Sequence, residues 1–394
     1  MRFLSVPFGI LLVALLHSPL IADPVNLGLM SSKYSRPDVA FFPDGKRFAV
    51  ASDKTVRIFD LTGKPLRTLQ SYLVVKGLAI SPDGTMLATA ESDDGGNVSG
   101  LVKVVDPSNG RVVRQFRHRA GYAEWLAFSP DGQFLASVGD EEAVYVWNVR
   151  TGKPVARITG HAWGNLSAVC FSADGKYLYS GGQYRDNEAL LKAKAVEDKY
   201  YNRQMSRAEA EQLEAEIEKW YSKFAEGWKI GELFVYSTDT WTISKRIATP
   251  GAVQAIENIP EEEGAILAAT GYTPREAKDQ DGKLLKMQIQ QGQMEALENL
   301  PPTPDDFAGL MEEHRFYYRQ NTVRMSTSGR YALSDMDGIE VFDEDGDSIY
   351  SESIDAETVQ SPAPVAIAPD GKTIIILKYN RQTGLGTADI VSLD

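Results

Sequence analysis

Leu78-Ala79-Ile80-Ser81-Pro82-Asp83-Gly84 is the stretch whose reading decides the fold. A small residue stands between two apolar ones, and a Ser-Pro-Asp-Gly turn follows. The phrase recurs as Val39-Ala40-Phe41-Phe42-Pro43-Asp44-Gly45 and as Leu126-Ala127-Phe128-Ser129-Pro130-Asp131-Gly132. Looser copies end at Gly175, Gly329 and Gly371, so successive glycines lie 39, 48, 43, 154 and 42 residues apart. A recurrence of forty-odd residues is the length of one four-stranded blade of a β-propeller.

The phrase has a physical reading. Pro presets φ for the first corner of a type I turn, Asp or Ser bonds its own backbone, and Gly relieves the position that follows. After each turn comes a short apolar run, such as Arg47 to Ala51, Met86 to Ala90 or Phe134 to Val138. Such runs bounded by turn residues read as strands. A third strand follows at Thr55 to Asp60, Ala143 to Asn148 and Glu232 to Tyr236, and Thr-Gly-Lys-Pro turns at 62–65 and 151–154 lead to a more polar fourth. A β-sandwich with chance turn matches does not explain six copies in phase.

On these residues the chain resembles the WD-repeat family of β-propellers, and more broadly the bacterial propellers with Pro-Asp-Gly turns. The third copy carries the resemblance best, with Ser137, Asp140 and Trp147-Asn148 at the family's Ser/Thr, Asp and Trp-Asp positions. Gly160-His161 matches the family's Gly-His at the entry to the fourth copy. The resemblance implies that Ser137, Asp140, Trp147 and His161 belong to a structural hydrogen-bond network, which supports a fold and no activity. Phe59, Val105 and Tyr236 replace the Trp in other copies.

The 154 residues between Gly175 and Gly329 hold two blade periods plus insertions. Ala252 to Ile259 and Ala265 to Thr270 supply the first two strands of a hidden blade, which makes seven. The seventh copy reaches its third strand at Ala388 to Leu393, and Val25 to Ser31 precede the first copy without a partner. The expectation is that residues 25–31 form the last blade's outer strand, closing the ring and hiding an edge.

Residues 1–22 combine Arg2, an apolar run from Phe8 to Leu16, and Ala22 before Asp23. This pattern reads as a secretory signal peptide. The apolar run is short of the roughly 20 residues that a membrane anchor, the alternative, would need. The expected organisation is therefore a signal peptide over 1–22 and a propeller over 23–394. The single cysteine, Cys170, can make no internal disulfide. An exported chain of that kind points to a bacterial periplasm, with secretion as the alternative. Cys170 falls in the small-residue slot of Ala40, Ala79 and Ala127, so an inert packed thiol is expected. The formal charge is −13, and loss of residues 1–22 removes only Arg2, leaving −14. Such an acidic balance without a basic stripe argues against nucleic acid and anionic membranes as partners.

Departures from the repeat gather in loops that share one face of the disc: Glu91 to Leu101, Tyr272 to Lys283, Tyr379 to Thr387 and, largest, 184–229. The last reads as a helical hairpin. Ser206-Arg207-Ala208-Glu209 is a capping box, and Leu213, Ile217, Trp220, Phe224 and Trp228 share one helical stripe. A less periodic first helix spans Asn187 to Gln204. Trp220, Tyr221, Phe224 and Trp228 are the candidate partner-binding residues; the alternative is that the stripe packs on its sister helix or on the propeller. A second helical insertion is expected over 290–314, from Gln293 to Leu300 and from the Thr303-Pro304 cap.

Motifs of catalysis are scarce. Of the four histidines, His17 leaves with the signal and His118, His161 and His314 are scattered. Gly-x-Ser-x-Gly does not occur. Asp343-Glu344-Asp345-Gly346-Asp347 lacks the glycine and glutamate spacing of a calcium loop and reads as a strand-connecting turn. No catalytic residue, metal ligand or cofactor is assigned. Two function classes remain: a monomeric, non-catalytic module that binds a protein or peptide on its insertion-bearing face, and a lactonase-like or quinone-dependent dehydrogenase-like enzyme using the central funnel. The second would need several inward-facing His, Glu or Asp residues, which the sequence alone does not reveal.

Overall fold

The computed structural model describes residues 23–30, 37–92, 100–118, 121–139, 143–159, 166–183, 192, 195–196, 207–227, 231–260, 262–271, 282–290, 293–300, 322–335, 337–354, 363–380 and 382–394. Its strands form seven antiparallel four-stranded sheets arranged as the blades of a propeller. Blade one comprises Asp38–Phe41, Arg47–Ser52, Thr55–Asp60 and Pro65–Gln70, in that order from inside out. Blades two, three and four begin at Val74–Ile80, Trp125–Phe128 and Leu166–Phe171. Blades five, six and seven begin at Ala252–Asn258, Thr322–Met325 and Val365–Ile367.

The recurring phrase builds each first turn from its own side chains. Ser81 Oγ donates to Asp83 Oδ1 at 2.6 Å and accepts the Met86 N–H at 2.9 Å, while Gly84 N–H donates to Ser81 O at 2.8 Å. Gly84 holds φ at +69°, a region that glycine enters without steric cost. Ser129 with Asp131 and Ser172 with Asp174 repeat the bond at 2.5 and 2.7 Å.

The core is divided into seven apolar clusters, each between neighbouring blades. Alternation explains the division, because residues i and i+2 of a strand face the same neighbour. Each blade thus packs on the next, which lets a chain of this length avoid one oversized core.

The ring closes as the pattern predicts. Val25–Leu29 is the outer strand of blade seven and runs antiparallel to Leu385–Ser392, with Val25 opposite Ala388 and Leu29 opposite Leu385. The pairing thus begins before Ala388, because the hairpin of Thr373–Tyr379 and Leu385–Ser392 is longer than expected. The loop expected over Tyr379 to Thr387 is accordingly shorter, since the flanking strands reach Tyr379 and start again at Leu385. Asn380 Oδ1 accepts the N–H groups of Gln382 and Thr383, and Asn380 O accepts the Gly384 N–H at 2.9 Å.

A second correction concerns blade five. Gln293–Leu300 does not open a helical insertion; it is the outer strand, paired with Gly282–Gln288. Its sheet partner supplies the backbone bonds that a short isolated helix would lack. The remainder of the expected insertion, 301–314, lies outside the described residues. In blade four, Arg207–Gly227 is a helix of 21 residues between Tyr177–Gln183 and Gly231–Ser237. Of the expected first helix, Lys192, Ala195 and Val196 are described and helical.

The polar network of blade three includes a residue that motif matching missed. His118 Nε2 lies 2.8 Å from Ser137 Oγ, and Trp147 Nε1 donates to the same oxygen at 3.2 Å. His118 stacks on Tyr145 at 4.2 Å, and Trp147 stacks on Phe116 at 4.8 Å. Asp140 and His161 lie outside the described residues. Blade two rebuilds the same corner with other chemistry: Thr89, Ser71 and Lys103 all donate to the buried Glu91 carboxylate, at 2.8, 2.6 and 2.6 Å. Blade four uses Ser180 and Tyr236, with their oxygens 2.8 Å apart.

Trp147 is 7% exposed and joins both the apolar cluster and the Ser137 bond. Replacing it with Ala should therefore cost about 3–5 kcal/mol, the range for a large buried aromatic. Urea denaturation measures this, and a loss under about 1 kcal/mol would place the ring outside the packed interior.

Candidate functional site: the insertion face and the central channel

Two places depart from the repeat. The first is the insertion helix, which leaves blade four between its second and third strands. Ala210, Leu213, Ile217 and Trp220 are half-buried, whereas the other described positions from 208 to 219 are exposed. The described part of the stripe expected from the sequence, Leu213, Ile217 and Trp220, is thus the half-buried side of the helix. Lys192 Nζ lies 4.5 Å and Lys219 Nζ 5.5 Å from the centre of the Trp220 ring. A cation over the indole face is attracted by the ring quadrupole, so the preceding segment already caps one of the candidate anchors. Tyr221 and Phe224 lie within the helix, but their side chains, like all of Trp228, are outside the described residues.

The second place is the channel that the inner strands enclose, with a volume of about 670 Å³. One backbone bond defines equivalent positions in every blade. The residue after the inner strand donates its N–H to the start of the second strand: Phe42 to Arg47, Ser81 to Met86, Ser129 to Phe134, Ser172 to Tyr177, Ile259 to Ala265, Ser326 to Arg330 and Ala368 to Thr373. Two residues before that point stand Ala40, Ala79, Ala127, Cys170, Glu257, Arg324 and Ala366. All seven line the channel.

The small slot of the repeat phrase is therefore a ring facing the channel. Cys170 is half-buried: it packs against the cluster between blades four and five, as expected of the slot, and also borders the channel. Its Sγ accepts from Asn258 Nδ2 at 3.2 Å, and burial pushes the thiol well above its ordinary range. Blades five and six break the ring with Glu257 and Arg324. This supplies the inward-facing charge that the sequence reading did not find. The signal was present, since Val323-Arg324-Met325-Ser326 keeps the frame of the phrase with Arg in the small position.

Arg324 reaches two carboxylates. Its Nη1 is 3.4 Å from Glu257 Oε1, and its Nη2 is 3.8 Å from Asp38 Oδ1 in blade one. Blade seven lies between them and offers only Ala366 at this level. Asp38 also accepts the Val39 N–H at 2.9 Å and the Leu78 N–H of blade two at 2.8 Å. Burial raises the Asp38 carboxyl above its usual value, against the opposing pull of Arg324 and these two backbone bonds. Burial raises Glu257 to about 7, with Arg324 alone opposing it. Glu124, 9% exposed, lines the channel from blade three.

Comparison with known proteins adds to this picture. A model described as WD domain, G-beta repeat matches residues 37–60, 63–96, 110–148 and 152–189, which fall in the first four blades and the start of the insertion. SEC12-like protein 1 of Arabidopsis thaliana is 25% identical over 266 residues, covering 61% of this chain and 65% of that protein. An uncharacterized WD repeat-containing protein of Synechocystis is 36% identical over 107 residues, 27% of this chain and 28% of that protein. WD repeat and SOCS box-containing protein 1 of Mus musculus is 34% identical over 97 residues, 24% of this chain and 22% of that protein. The chain thus spans less than two thirds of each of these relatives. Together with the seven sheets, the matches make it a WD-repeat-like propeller.

The raised Glu257 value has a thermodynamic sign. Between the ordinary value of 4.5 and about 7 the folded chain binds a proton here that the unfolded chain has released. This contribution favours folding at low pH and is lost as pH rises through that window. Replacing Glu257 with Gln removes it. The stability of E257Q relative to the parent should therefore rise by up to about 3 kcal/mol between pH 4 and pH 8. Denaturation curves at both values test this; a pH-independent difference would mean that folding does not perturb Glu257.

Proposed function

We infer that the protein is a non-catalytic interaction scaffold that binds a protein or peptide through the face carrying the blade-four insertion. WD-repeat propellers are commonly such scaffolds, because a rigid disc holds variable loops in fixed relative positions. The observation that carries the reading is the insertion itself. A helix of 21 residues stands in a connection that takes a few residues in blade one, between Arg47–Ser52 and Thr55–Asp60. Its outer side is exposed from 208 to 219, so it presents a surface, while Leu213, Ile217 and Trp220 of the apolar stripe are half-buried. The acidic charge of −13 supports a partner other than nucleic acid. No helix among the described residues is long and apolar enough to cross a membrane. Export to the periplasm completes the reading and rests on the pattern of residues 1–22.

Two measurements test it. Deleting 184–229 and bridging the gap with a short Gly-Ser turn should leave a folded propeller that has lost most of its affinity for the partner recovered by pull-down. Unchanged affinity in the folded deletion variant would make the insertion a structural addition only. Fractionation of the producing cell should find the chain in the periplasm and shortened near Ala22. Recovery of the uncleaved chain from the cytoplasm would remove export from the reading.

A further inference from the structure

The charged groups on the described channel wall are Asp38, Glu124, Glu257 and Arg324, three carboxylates against one guanidinium. Arg324 is shared, at 3.4 Å from Glu257 and 3.8 Å from Asp38. Both distances are longer than a charge-assisted hydrogen bond, which runs near 2.7–2.9 Å. Glu257 Oε1 takes the Arg324 contact, and among the described residues no donor reaches Oε2. The Glu257 side chain is 26% accessible, and it lines the channel, so its free oxygen is open to that space. Four alanines at the same level leave the room in front of it unfilled. Trp125 adds an aromatic wall from blade three, with a buried Nε1 that has no partner among the described residues.

We propose that the channel binds a small organic cation, a primary ammonium or guanidinium on an apolar stem, with its charge at Glu257 Oε2 and its stem along the alanine ring. The site lies apart from the insertion and does not depend on the scaffold reading. Charge selects the cation: an anion drawn to Arg324 would meet Glu257 and Asp38 on either side of it. A divalent metal ion is disfavoured, because no three His, Cys, Asp or Glu side chains converge among the described residues, and hard cations need several oxygen ligands. The volume of about 670 Å³ also suits a small molecule, for which pockets of roughly 300–1,000 Å³ are typical.

Protonation gives the site a signature. Glu257 is held near 7 by burial, so at neutral pH part of the empty site is uncharged. A bound cation favours the ionised form, so binding should release a fraction of a proton and tighten as pH rises. Arg324 from blade six bears on Glu257 directly and Cys170 from blade four feels its charge, while Asp38 from blade one and Glu124 from blade three are the other charged groups on the described channel wall.

Isothermal calorimetry on the full chain tests the site, with butylammonium and butylguanidinium as probes and butyrate and butanol as controls. Both cations should bind in preference to the controls, more tightly at pH 8 than at pH 6. Proton release should appear as a heat that depends on the buffer. Glu257→Gln should weaken binding about tenfold or more and abolish the proton release. Ala127→Leu, which fills the channel from another blade, should weaken binding without changing any charge, and it carries the test should E257Q fail to fold. A blocked lysine peptide separates the two sources of such a cation. Tighter binding of the peptide assigns a side chain of a partner, and tighter binding of the free amine assigns a diffusible ligand. Butyrate binding as well as butylammonium, no cation binding at all, or cation binding indifferent to the folded variants would overturn the proposal.

Discussion

A pairing of a few residues, Val25–Leu29 against Leu385–Ser392, turns a row of seven sheets into a ring. Without it, the outer edge of blade seven would show unpaired backbone groups, and such an edge invites association with another chain. The seam is also a core. Leu27 and Met30 pack with Phe48 and Phe59 of blade one and with Ile375 and Ile390 of blade seven. Residues far apart in sequence thus meet in one cluster, and the closure entropy is met by apolar burial as well as by hydrogen bonds. Most other contacts between blades are then between neighbours in sequence, the Arg324–Asp38 contact across blade seven being an exception.

Local contacts tolerate substitution in kind. The corner behind strands two and three is polar in blades two, three and four, yet its chemistry differs each time. His118, Ser137 and Trp147 serve in one, Glu91 with Thr89, Ser71 and Lys103 in the next, and Ser180 with Tyr236 in the third. What persists is a short polar contact at the corner in these three blades. A buried polar group without a partner costs about 1–3 kcal/mol, so a polar corner is favoured when some set of partners meets there. Ser71 and His118 occupy the same place, directly after an outer strand, where their N–H groups donate to Lys54 O and Gly100 O at 2.7 and 2.9 Å.

This explains what could be read from the residues and what could not. The turns were legible because Ser, Pro, Asp and Gly each have a local backbone reason to be there, so the blade count and ring closure followed. His118 was missed because its role rests on a place in space, and its neighbours carry no Gly-His pair. Gln293–Leu300 misled because its residues suit a helix, and only pairing with Gly282–Gln288 makes it a strand. The insertion helix was legible from a capping box and a stripe, both local signals. What meets that stripe, such as Lys192 over the Trp220 ring, depends on tertiary contacts that periodicity cannot supply.

Glu257 and Arg324 belong to a different case. A repeat built on alanine at one slot keeps the channel open and uncharged, since a larger side chain from every blade would fill it. Charge at that slot carries a desolvation cost, and the raised Glu257 value is a direct sign that Arg324 does not offset it. Stability alone would favour a fifth and a sixth alanine. Blades five and six, the two whose first turns lack an Asp-Gly pair, are also the two that place charge in the small slot of the repeat. Where a chain repeats an economical solution and then abandons it at adjacent positions, the departures are the places to look for what the scaffold does. By that argument the channel and the blade-four insertion are separate candidate sites, one set by the inner slot of the repeat and the other by its loops.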